Sequence, residues 1–61
     1  MNEKVKKAAK RKHVFFWQIA LALGVAESTL YRWLRTPLSE EREVAMLAAI
    51  DTIAKEAANA D

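Results

Sequence analysis

The chain has no cysteine, one glycine, one proline and one histidine among its 61 residues. Each scarcity excludes a class of chemistry. Without cysteine there is no disulfide scaffold, no thiolate zinc site and no thiol nucleophile. A lone glycine, Gly24, cannot build a glycine-rich phosphate loop. His13 is the only imidazole, and Ser28 and Ser39 stand alone with no second histidine to build a triad. No cluster of His, Asp and Glu has metal-ligand spacing. Glu40, Glu41 and Glu43 read as a capping and solvated run rather than a paired-carboxylate site. The expectation is a non-enzyme with no metal, no cofactor and no evident small-molecule ligand.

Long apolar runs are missing as well. A membrane span needs about 18 to 20 apolar residues, and no run reaches that length. The basic stretch Lys4, Lys6, Lys7, Lys10, Arg11 and Lys12 before the apolar run from Val14 to Val25 has the outline of a signal peptide. Gln18 interrupts that run, and cleavage near Ala26 would leave about 35 residues with too little apolar surface to fold. A cysteine-free chain suits a reducing compartment. We therefore expect a cytoplasmic protein that makes no use of a membrane.

What is present is globular in character: 52% apolar residues, 30% charged residues and a net charge of +2. This is one small domain, 1–61, and folding a chain of that size buries only about 60% of the surface its unfolded form exposes. Helix packing, with or without a partner chain, must hold it. The charge is uneven. Residues 1–13 carry six basic groups against Glu3, residues 14–38 carry Arg32 and Arg35 against Glu27, and residues 39–61 carry six acids against Arg42 and Lys55. A basic front and an acidic tail suit a polyanion on one side, or simply solvate helix faces.

Twelve alanines, helix-spaced apolar residues and weak strand signals give an all-α chain of four short helices. The first runs from an Asn2 cap to about Arg11, with Val5, Ala8 and Ala9 inward. The second covers about 16–23 and ends at Gly24, which tolerates a left-handed backbone. After a turn at 24–26 the third covers about 27–35, and Pro37 forces the chain out of it. Ser39 caps a C-terminal helix of about 40–58, with Glu40 and Glu41 in its first turn. On a helical wheel Leu47, Ile50, Ala54 and Ala57 form its inner stripe, flanked by Met46 and Ile53. Glu41, Thr52, Lys55 and Asn59 fall opposite.

The stretch from Phe16 to Arg35 has the spacing of a DNA-binding helix-turn-helix. Two helices meeting at a steep angle need a small residue at the contact, here Ala20, and a tight turn, here Gly24. Ile19, Leu23, Val25, Leu30, Trp33 and Leu34 then close a shared core. The outer face of the third helix carries Ser28, Tyr31, Arg32 and Arg35 at i, i+3, i+4 and i+7.

With Trp17-Gln18-Ile19-Ala20, Leu23-Gly24-Val25, Glu27-Ser28-Thr29, Pro37-Leu38-Ser39-Glu40-Glu41 and Ala48-Ala49-Ile50-Asp51-Thr52-Ile53-Ala54, the chain resembles the small single-domain phage-repressor-like (Cro/repressor, XRE-type) helix-turn-helix proteins. The resemblance implies a lambda-repressor-like fold and double-stranded DNA as partner. It also implies that residues 27–35 form a recognition helix lying in the major groove. Glu27, Ser28, Thr29, Tyr31 and Arg32 would then face base edges, with Arg35 reaching base or phosphate. Arg32 is the candidate for a bidentate guanine contact, as against a solvated arginine. Ser28 and Thr29 either donate to the nucleic acid or satisfy the helix start, and Glu27 either accepts from cytosine or serves the helix dipole.

Gln18, Lys10, Arg11 and Lys12 are the candidate phosphate contacts, with a solvated glutamine and a solvated basic segment as the plainer readings. His13 reads as a loop or helix-end residue. Three departures stand out. Ala26 offers no side-chain cap to the recognition helix. Phe16 sits where many relatives carry a phosphate-contacting glutamine. Phe15 and Trp17 crowd the same helix start, either as core between the first, second and fourth helices or as an exposed patch that pairs with a second copy. The functional expectation is a small transcriptional regulator of bacterial, phage or mobile-element origin. The alternatives are an excisionase-like DNA-bending accessory and a helical protein-interaction module.

Overall fold

Four helices follow one another along the chain: α1 (Glu3–Arg11), α2 (Phe16–Leu23), α3 (Glu27–Leu34) and α4 (Glu40–Asn59). The structure, a computed structural model, describes residues 2–59 and the side chains of residues 2–57. No strand occurs among the described residues, so the chain is all-α as expected. Asn59, expected on the outer face of α4, lies outside the described side chains.

Local side-chain caps set two of the four helix starts. Ser39 caps α4, its Oγ accepting the Arg42 N–H at 3.2 Å. Phe15 is extended ahead of α2, and its N–H donates to Gln18 Oε1 at 2.8 Å, which is one half of a capping box. Ala26 precedes α3 in an extended conformation with no side-chain cap. Asn2 corrects its expected role. α1 does begin after it, but its side chain caps nothing there. Instead its Nδ2 donates to the carbonyls of Leu34 at 3.1 Å and Thr36 at 2.8 Å, and its Oδ1 accepts the Leu38 N–H at 3.0 Å. The amide thus fastens the start of α1 to the link between α3 and α4. Two peptide oxygens and one peptide N–H around Pro37 would otherwise depend on water.

The ends of α1 and α2 are built alike. After α2, Gly24 takes φ 71°, Val25 N–H reaches back to Ala20 O at 3.0 Å and Gly24 N–H to Leu21 O at 3.2 Å. After α1, His13 takes φ 57°, Val14 N–H reaches Ala9 O at 2.8 Å and His13 N–H reaches Lys10 O at 3.2 Å. Both are Schellman motifs, and each ends on a valine that joins the core, Val14 buried in it and Val25 half-buried against it. Glycine adopts this backbone freely, whereas an L-residue such as histidine is strained there.

The core joins all four helices. Ile19, Leu30, Met46, Ile50 and Val5 are fully enclosed, with Ala9, Val14, Ala20, Leu34 and Ala49 around them. α4 packs on both α1 and α2, whereas α3 rests chiefly on α2. Leu23, Val25 and Trp33, expected in this core, are half-buried against it. One expectation is corrected. The inner face of α4 is centred on Met46, Ala49 and Ile50, with Leu47, Ile53 and Ala54 half-buried and Ala57 exposed. α4 meets two helices side by side, and that widens and turns the covered arc. Of the two readings of Phe15 and Trp17, burial in the core is the one that falls away: they remain 64% and 52% exposed, and only Phe16 tucks partly inward.

Thermal unfolding followed by circular dichroism tests these contacts. Gly24→Ala places a Cβ in open space but keeps the left-handed backbone. It should therefore cost about 1 kcal/mol, or roughly 4–8 °C in Tm for a domain this small. His13→Gly should raise stability by about the same amount. Asn2→Ala, which removes three hydrogen bonds and strands the Leu38 N–H, should cost about 1–3 kcal/mol.

Candidate nucleic-acid interface

α3 divides its side chains cleanly. Leu30 and Leu34 are buried and Trp33 is half-buried, while Glu27, Ser28, Tyr31, Arg32 and Arg35 are exposed. Arg35 stands one residue past the helix with a helical backbone (φ −79°, ψ −14°), so it continues the same face. Five of the six expected α3 residues therefore share an open surface, and Thr29 is half-covered at its edge. Neither arginine forms a salt bridge among the described residues. Their guanidinium forks, with a hydroxyl from Ser28 and a phenol from Tyr31, present hydrogen-bond donors to solvent.

Three contacts hold the helix. Phe16 of α2 meets Tyr31 edge-on, ring centres 6.0 Å apart and planes at 88°. Phe16 thus props the outer face of α3 from the position expected to face phosphate. Arg42 of α4 lies with its guanidinium carbon 4.4 Å from the Trp33 ring centre, a cation–π contact against the opposite side. Asn2 holds the carbonyls of Leu34 and Thr36 at the C-terminal end. Neither Arg42 nor Asn2 is legible as a support in the sequence, because each meets a partner far along the chain and outside any helical repeat.

The basic residues of α1 fall into two stripes. Lys6, Lys10 and His13 recur at i, i+4 and i+7 and line an open groove together with Tyr31. Lys4, Lys7 and Arg11 recur at i, i+3 and i+7 and line a different depression with Leu47 of α4. Lys4 stands 4.0 Å from Glu43 in that second group. Lys12 is paired with Asp51 of α4 and lies beside Ala54 and Lys55. Of the three expected phosphate clamps, the structure brings Lys10 alone beside a residue of the α3 face. Arg11 and Lys12 turn toward α4.

Gln18 is half-buried, and its Oε1 is committed to the Phe15 N–H. Its Nε2 makes no hydrogen bond among the described residues and remains a donor. His13, exposed at the end of α1, is a helix-end residue as expected. Among the described residues no helix is long and apolar enough to cross a membrane. No group of three or more His, Asp and Glu among them is arranged to hold a metal ion.

The capping role of Gln18 is separable from any contact with a nucleic acid. Gln18→Ala should lower stability by about 0.5–1.5 kcal/mol in the absence of a ligand, measured by urea denaturation. Gln18→Glu keeps the acceptor and places an anion in the first turn of α2, so it should be at least as stable as the wild type.

In comparison with known proteins, the chain matches no family model, no curated protein and no solved structure.

Proposed function

We propose that the protein binds double-stranded DNA sequence-specifically, with α2 and α3 as a helix-turn-helix and α3 as the element laid in the major groove. In this reading it acts as a small transcriptional regulator and performs no catalysis. One observation carries the proposal. α3 turns Leu30, Trp33 and Leu34 toward the core and leaves Ser28, Tyr31, Arg32 and Arg35 exposed, with neither arginine in a salt bridge among the described residues. A face of that composition fits the donor and acceptor pattern of base edges, and the major groove, about 12 Å wide, admits an α-helix.

The corner before α3 supports the same reading. Ala20, on α2, is 3% exposed, and Gly24 makes the left-handed turn between α2 and α3. Arg32 would take guanine through its bidentate fork, a contact worth about 1–3 kcal/mol of discrimination. Arg35 lies one turn further on, within reach of base or phosphate. Ser28 and Thr29, at the start of the helix, would donate to the backbone. Lys10 would neutralise phosphate beside the α3 face, whereas the ion pair of Lys12 directs it to Asp51.

Selection from a random duplex library tests the proposal. The wild type should enrich a motif that the Arg32→Ala/Arg35→Ala variant does not, and a palindromic motif would report two copies bound together. Absence of enrichment by the wild type would refute sequence-specific binding. On the selected duplex, Lys10→Ala should reduce the slope of log affinity against log salt by about one, because one phosphate contact is lost. Lys12→Ala should leave that slope nearly unchanged.

A further inference from the structure

An open groove of about 510 Å³ runs between the end of α1, the start of α2 and Tyr31 of α3. One wall carries Lys6, Lys10 and His13; Phe15, Trp17 and Tyr31 supply rings, and among the described residues no carboxylate lines it. These rings are not hidden: Phe15 is 64%, Trp17 52% and Tyr31 42% exposed. α2 contributes no charged residue at all, so nothing on it masks the rings. Neither lysine forms a salt bridge among the described residues, whereas Lys4 and Lys12 on other sides of α1 meet Glu43 and Asp51. Two lysines without a salt bridge among the described residues and the open aromatics therefore share one groove.

We propose that this groove binds an unpaired DNA strand. A positive wall that follows a phosphodiester backbone, beside aromatic rings on which bases stack, is the physical basis of single-strand binding. Bases inside a duplex already stack on one another, so these rings suit a strand whose bases are free. Tyr31 belongs both to the groove and to the exposed face of α3, which makes the two surfaces continuous. A strand leaving a duplex held on α3 would enter the groove, so the preferred ligand is a duplex with a single-stranded extension. The junction preference rests on the duplex reading above; binding of the lone strand does not.

The test uses fluorescence anisotropy with the full chain and three labelled probes. These are an oligo(dT) of about ten nucleotides, a blunt duplex, and that duplex carrying the oligo(dT) as an overhang. The wild type should bind oligo(dT) and should bind the overhang duplex more tightly than the blunt one. Phe15→Ala/Trp17→Ala should weaken oligo(dT) binding about ten-fold or more and remove the advantage of the overhang, while blunt-duplex affinity stays the same. Both rings are exposed, so this variant should retain the wild-type circular dichroism spectrum.

Failure of oligo(dT) to bind, or binding indifferent to the double substitution, overturns the inference and leaves the duplex reading standing. Oligo(dT) binding without duplex binding overturns the duplex reading alone. Self-association in sedimentation that the double substitution abolishes, with oligo(dT) affinity unchanged, assigns the groove to a second copy and overturns the inference.

Discussion

The arrangement depends on the corner between α2 and α3. α3 is eight residues long and rests chiefly on α2, so its position is set by the three residues that connect them and by how closely the two helices approach. Gly24 supplies the left-handed backbone, and Ala20, 3% exposed on α2, belongs to the core on which the corner rests. The Schellman bonds at that corner bring Val25 back over Ala20. An eight-residue helix has little independent stability in water. Its outward face is an ordered surface only because tertiary contacts fix the helix. Those contacts are the buried Leu30 and Leu34, the Phe16–Tyr31 edge, the guanidinium over Trp33 and the Asn2 amide.

The electrostatics follow the same division. α1 is rich in lysine on every outward side, yet α4 answers only part of it, through Glu43 and Asp51. The acidic helix therefore neutralises the side of α1 that it covers and leaves the side next to α2 and α3 positive. A chain with a small net charge can in this way present a concentrated cationic surface, since the folded arrangement separates the two signs. Surface ion pairs of this kind contribute little to stability. Their effect here is directional: they decide which lysines remain free to meet an anion.

Much of the fold was legible because its signals are local. The Ser39 cap, the Gly24 stop, the exit at Pro37 and the inward Leu30 and Leu34 each depend on neighbours within one or two turns. What escaped depends on distance. Val14 and Ala9 close the end of α1 in the same way as Val25 and Ala20 close α2, but His13 replaces glycine and carries no comparable signal. The wheel of α4 identified its apolar side and not its centre, because periodicity does not say how many helices share that side. Phe15 and Trp17 illustrate a limit of size. Apolar preference draws aromatics inward, but a chain this short encloses too little volume to take all of them. On the α3 face the helical spacing was sufficient, whereas the basic residues of α1 could be sorted only once α4 and its carboxylates were in place.

The side chain of Asn2 has one more consequence. The amide proton of Leu38 is shielded by an atom 36 positions earlier in the chain, not by its own helix. Its exchange with solvent is thereby coupled to the docking of α1. A partial opening that lifts the first helix would expose this proton while the amides inside α4 remained protected. Leu38 thus serves as a built-in reporter that separates local undocking of α1 from global unfolding.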